Sequence, residues 1–137
     1  MKYIEKFNPY NKNNPIRKIE FINYVKEPTN AYCGQATIAM ITGVSVFEII
    51  KMTEDEEKIT KAVLKKVLDY YGINYAKKSI KYDPNKPLPD LCIIKSLLPG
   101  YGHWSLYFKG KFYDPEFGVL DKNPENAKIF QVWEIYP

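Results

Sequence analysis

The sequence predicts an α+β fold, with helices in its first half packed on an antiparallel sheet built from its second. Three observations carry that expectation. Residues 31–43 (AYCGQATIAMITG) are small or apolar on nearly all sides and stop at a glycine, as a buried central helix does. A second helical pattern, apolar on one stripe, runs up to Gly72. From residue 73 onward the chain changes to short apolar runs punctuated by Pro, Gly and Asp, which is the signature of strands and turns. Helices grouped before strands, rather than alternating with them, argue against a parallel βαβ sheet.

Residues 1–20 hold four Asn and two Pro among basic residues and read as an irregular lead-in. FINYVK (21–26) alternates weakly and is expected as a short strand before Pro28. In the 31–43 helix, Cys33 falls in the first turn. Ser45 and Glu48 have the spacing of a capping box and should start the next helix. Thr53 and Glu56 repeat that spacing; beyond them Ile59, Val63, Val67 and Tyr71 form one stripe, flanked by Leu64 and Leu68. The expected strands are INYAKKSIKY (73–82), LCIIKSLL (91–98), HWSLYF (103–108), KFYDP (111–115) and KIFQVWEIY (128–136). A turn-rich loop, DPNKPLP (83–89), and tight turns at Pro99-Gly100 and Lys109-Gly110 separate them. With no repeat, low-complexity tract or linker, residues 1–137 are expected to form one domain.

Composition narrows the functional classes. Apolar residues make up 45% and charged residues 26%, an ordinary globular balance rather than that of a disordered chain. The net charge of +4 is spread over scattered lysines, so the basic balance reads as a solvated surface and not as a nucleic-acid arm. No run of apolar residues is long enough to span a membrane, and the N-terminus has no signal-peptide pattern. Two cysteines make a poor disulfide framework, and free thiols without a leader point to a reducing cytoplasm. One His and two distant Cys give no zinc spacing, and no glycine-rich loop cradles phosphate, so neither a metal nor an organic cofactor is expected.

The chemistry converges on three residues. At a helix N-terminus, Cys33 would face unpaired amides and the positive end of the helix dipole, which favour the thiolate and can hold an oxyanion. Its bland alternative is a small buried residue opening a core helix. His103 is the only histidine in the chain, hence the one base of near-neutral pKa. If Lys109-Gly110 is a two-residue turn, Phe108 pairs with Lys111, Leu106 with Tyr113 and Ser105 with Asp114. His103 then shares a face with Asp114, roughly 7 Å away along the diagonal, and a carboxylate there can fix its tautomer. A three-residue loop would reverse that parity, and a turn-forming Asp-Pro step is the alternative for Asp114. Cys92 reads as core. Trp104, Phe108 and Tyr113 share the hairpin's other face and also read as core rather than as a base-stacking platform.

NAYCGQATIAMITG resembles the nucleophile helix of papain-like cysteine peptidases, most of all the peptidase domains of bacteriocin exporters, which trim double-glycine leaders. GHWSLYFKGKFYDPEFG (102–118) is similar to the same family's second block, a Gly-His before an apolar strand, a short turn and an Asp-Pro close to a Gly. The Tyr-Cys-Gly start is also similar to that of phytochelatin synthases. The resemblance covers about residues 24–120. It implies a papain-like fold and a cysteine hydrolase acting on a peptide or protein through Cys33, His103 and Asp114. One departure stands out: the family places a Gln six residues before the Cys as an oxyanion donor, and here that position is Glu27, which cannot donate when ionised. Asn30 is the candidate substitute, with Gln35 a second; alternatively the Cys33 amide acts alone. An amidase or acyltransferase using the same residues, and an inactive relative that holds a partner peptide, are the competing readings.

Overall fold

The structure, a computed structural model, describes residues 7–137. Three helices precede seven strands. They are α1 (Cys33–Thr42), α2 (Val46–Met52) and α3 (Lys61–Tyr70), then β1 (Asn74–Tyr75), β2 (Ile80–Lys81), β3 (Leu91–Leu98), β4 (Tyr101–Phe108), β5 (Lys111–Asp114), β6 (Gly118–Leu120) and β7 (Lys128–Tyr136). The pairings are antiparallel, in the order β1-β7-β3-β4-β5-β6, with β2 also on β7. The α+β architecture is as the sequence predicts.

Every residue of α1 is buried. It carries no formal charge and packs against α2, α3 and β4, so its burial needs no ion pair. Gly43 ends it in a left-handed conformation, its N–H donating to Ala39 O at 2.8 Å. The last carbonyls are met from the lead-in, where the Arg17 guanidinium donates to Ile41 O and Met40 O. The lead-in is irregular, as expected, but it is docked: Ile19 is buried in the main core and Ile16 N–H donates to Tyr71 O. Among the described residues no single helix is long and apolar enough to cross a membrane.

Three expectations about elements need correction, and one strand is additional. Residues 21–26 form no strand; they run beside the fold without a ladder partner. Thr53 does not start a helix; it is the C-cap of α2. It is buried at the end of α2, its hydroxyl directed to Ile49 O and Ile50 O, and the chain at Glu54 and Asp55 turns through positive φ. The helix instead begins at Lys61, capped by the Thr60 side chain, which accepts from Val63 N–H. The stripe itself holds: Ile59, Leu64, Val67, Leu68 and Tyr71 are core, and Val63 packs against it half-buried. The run 73–82 is broken into β1 and β2 across Lys77–Ser79, and β6 is a further strand, too short to show in the pattern.

The hairpin that matters for function has the two-residue turn. Lys109 and Gly110 both have positive φ, 45° and 90°, the combination that matches strand twist in a tight hairpin. Phe108 pairs with Lys111, Tyr107 with Phe112 and Leu106 with Tyr113. The ladder stops there; Asp114 pairs onward with Gly118 of β6 rather than with Ser105.

Candidate active site

Cys33 is the first residue of α1 and is 3% exposed. The residue before it, Tyr32, supplies no side-chain cap, so the first-turn amides meet no capping oxygen. The helix therefore presents an uncapped, partially positive end at the thiol. The neighbouring strand reaches the same sulfur: Trp104 N–H approaches Cys33 Sγ at 3.4 Å, and the Trp104 indole donates to Ile59 O at 3.1 Å. Close packing of α1 on β4 is permitted by Gly34. A Cβ there would lie 2.6 Å from Ile59 Cγ1 and 3.2 Å from Trp104 Cδ1.

His103, one residue before Trp104, is 1% exposed. Its Nε2 lies 2.8 Å from Asp114 Oδ1. The same oxygen accepts the backbone N–H groups of Glu116 (2.9 Å) and Phe117 (3.2 Å). The turn-forming and the histidine-holding roles of Asp114, alternatives at the level of sequence, are thus performed by one oxygen. A carboxylate partner assigns the proton to Nε2 and leaves Nδ1 as the nitrogen available to Cys33. Nδ1 makes no full hydrogen bond. Burial pulls the imidazole pKa down, but hydrogen bonding to Asp114, interaction with the Cys33 thiol and the charges of both outweigh it and hold the ring well above its ordinary value.

The surroundings are polar where the pair sits. Ser96 lies opposite His103 across the β3–β4 ladder, and Ser96, Ser105 and Asp114 are all buried beside it. The Lys95 ammonium lies 4.2 Å from the centre of the Trp104 ring; burial lowers its pKa while the nearby Cys33 charge acts in the opposite sense. Nothing in the sequence pattern singled out Lys95, because it reaches the site only through strand pairing.

The candidate oxyanion donors separate clearly. Asn30 is exposed in the turn before α1. Gln35 is buried, and its amide donates to Thr53 Oγ1 and Glu56 O, so its N–H groups are spent on structure. Glu27 is 6% exposed, neither carboxyl oxygen has a partner, and its N–H is fixed to Pro115 O at 2.9 Å. Cys92 lies in a second apolar cluster with Ile94 and Val132, where burial, reinforced by Glu134, pushes its thiol up to about 12.

Donor atoms of Glu27, His103 and Glu116 come within 4.8 Å of one another. Two of the three are already engaged, and Glu27 is not. His103 Nε2 is held by Asp114, and both Glu116 oxygens accept from the Tyr101 hydroxyl. A separate cavity of about 490 Å³, lined by Tyr82, Pro124, Ile129 and Phe130 among others, does not include Cys33, His103 or Asp114.

No family model and no curated protein matches the chain. Among solved structures, it is similar to a double glycine motif protease from an AMS/PCAT transporter, determined in complex with the leader peptide. The two share 19% sequence identity and superpose with a TM-score of 0.62, over 90% of this chain and 96% of that one. The likeness spans the helices and the sheet alike, so the chain has the papain-like α+β fold of that protease, the fold its two sequence blocks resemble.

Proposed function

We propose that this protein is a cysteine hydrolase that cleaves a peptide or amide bond through an acyl-enzyme. The observation that carries the reading is the buried His103–Asp114 pair, whose free ring nitrogen is left for the Cys33 thiol at the uncapped start of α1. In this reading Cys33 Sγ, as thiolate beside the His103 imidazolium, attacks the carbonyl carbon. The tetrahedral intermediate collapses as His103 gives its proton to the leaving amine. Water then attacks the thioester while His103 takes its proton, and the carboxylic acid leaves with Cys33 restored. Asp114 keeps the imidazole oriented and stabilises its charged form.

A peptide substrate is favoured by the company the fold keeps, since the similar protease was solved with a leader peptide in place. The test begins with thiol reactivity. Near neutral pH, iodoacetamide should modify Cys33 much faster than Cys92, and His103→Ala should slow Cys33 alkylation while leaving the circular dichroism spectrum unchanged. Equal rates at the two cysteines would sink the enzyme reading. Cleavage of an unbiased peptide library by the wild type, absent in Cys33→Ala, would then separate a peptidase from an amidase or acyltransferase acting on other acyl groups.

A further inference from the structure

Glu27 is the anomaly of the site. A carboxyl that is 6% exposed and has no partner on either oxygen is costly to ionise. Its charged neighbours act in both senses. Around it stand Asp114 at the end of β5 and Glu116 in the following turn, His103 and Tyr101 of β4, and Lys26 and Tyr24 of its own segment. His103 and Lys26 favour a charge on Glu27, but the imidazolium is already matched by Asp114 and Cys33. Burial dominates, opposed by His103 and supported by the two acidic neighbours, and Glu27 is pushed up to about 7. Around neutrality and below, a substantial part of the population therefore carries a proton there.

A protonated carboxyl is an O–H donor, which an ionised one is not. Its location suits a donor. The Glu27–Pro115 hydrogen bond fixes the segment against the turn that holds Asp114. A carboxyl oxygen of Glu27 comes within 4.8 Å of a His103 ring nitrogen, and that ring is the group whose Nδ1 is left without a partner. A carboxylic acid kept neutral by an apolar pocket is a known way to hold a developing oxyanion.

We propose that Glu27, in its neutral form, donates its O–H to the oxyanion that forms when Cys33 attacks a carbonyl, and that ionisation of Glu27 switches this donor off. The inference rests on the hydrolase reading above. It supplies the donor that the sequence appeared to lack and makes acylation, but not simple alkylation, dependent on a second proton in the site. No bond to this proton breaks in the step; it is shared with the oxyanion and stays on Glu27 when the intermediate collapses.

The experiment measures two reactions of Cys33 from pH 5.5 to 9 in the full chain. Burst acylation by p-nitrophenyl acetate passes through an oxyanion, whereas alkylation by iodoacetamide does not. Taking the ratio of the two rates cancels the thiolate titration. In the wild type the ratio should fall as pH rises through about 7, by roughly 10-fold or more at pH 8.5, as the protonated fraction is lost. Glu27→Gln, a donor at every pH, should abolish that fall and exceed the wild-type ratio above neutrality. Glu27→Leu should lower the ratio at pH 6 by about 100-fold, the usual cost of one lost donor. A Glu27→Gln ratio that still falls as in the wild type, or a Glu27→Leu ratio equal to wild type at pH 6, would overturn the proposal. Failure of the hydrolase reading looks different, because Cys33 would then alkylate no faster than Cys92 in the wild type itself.

Discussion

At the scale of single residues, the site is organised around one imidazole with its two nitrogens assigned to different partners. Asp114 holds Nε2, so removing that carboxylate should release both tautomer and orientation without unfolding the sheet. We expect Asp114→Ala to reduce acylation of Cys33 by about 10²–10⁴-fold, measured by burst kinetics, with thermal unfolding still cooperative. A variant with near-native kinetics would reduce Asp114 to a turn former. Much of this pairing was legible before any coordinates, because a lone His and an Asp flanking a two-residue turn have a fixed parity. Glu27 was legible only as a departure from a pattern. Its burial comes from a backbone bond to Pro115, far along the chain, which no local signal announces. Gln35 failed as a candidate for the same reason: Thr53 and the Glu56 carbonyl reach it only in the folded state.

At the scale of elements, the β4–β5 hairpin brings His103 and Asp114 together. Its turn length sets which face Asp114 occupies, so inserting a glycine between Lys109 and Gly110 should move the acid away from His103. The expected outcome is a loss of acylation comparable to Asp114→Ala, with the sheet's circular dichroism retained. Unaltered activity would mean that β5 keeps its register by other means, for instance its pairing with β6. Elements with strong, self-contained patterns were readable to the residue: β3 at 91–98 and β7 at 128–136 fall where their apolar runs predict. The false strand at 21–26 and the false N-cap at Thr53 fail for a common reason. Alternation and capping spacing are necessary features, but a ladder partner and a free helix end are supplied by the rest of the fold.

For the molecule as a whole, the same buried groups link function to stability. Glu27 and His103 both have folded-state pKa values raised above their ordinary ones. In each case the folded state binds the proton more tightly than the unfolded chain does. The stability this contributes is fully present below the unfolded pKa and is lost as pH rises through the folded one. For Glu27 that window runs from 4.5 to about 7, and for His103 it opens at 6.5 and extends upward. The protein should therefore become less stable between pH 5 and pH 8. Thermal melts across this range check the sign. Glu27→Gln should gain on the wild type as pH rises, so a Tm difference that is constant or shrinks would mean that Glu27 is not buried as a neutral acid.

The close approach at Gly34 carries its own consequence. Cys33 belongs to α1 and His103 to β4, so their separation is set by how nearly the helix lies on the strand. That gap is held by a residue with no side chain, beside Ile59 and Trp104. A methyl group at Gly34 would clash with the Ile59 side chain and press on Trp104 of β4, and core packing transmits such shifts instead of absorbing them. Proton transfer between sulfur and ring depends steeply on that distance. Gly34→Ala should thus leave a folded protein whose Cys33 is present, reduced and slow, its alkylation falling toward that of His103→Ala. In this sense the spacing between the proposed nucleophile and its base is calibrated by a single hydrogen atom, the side chain of Gly34.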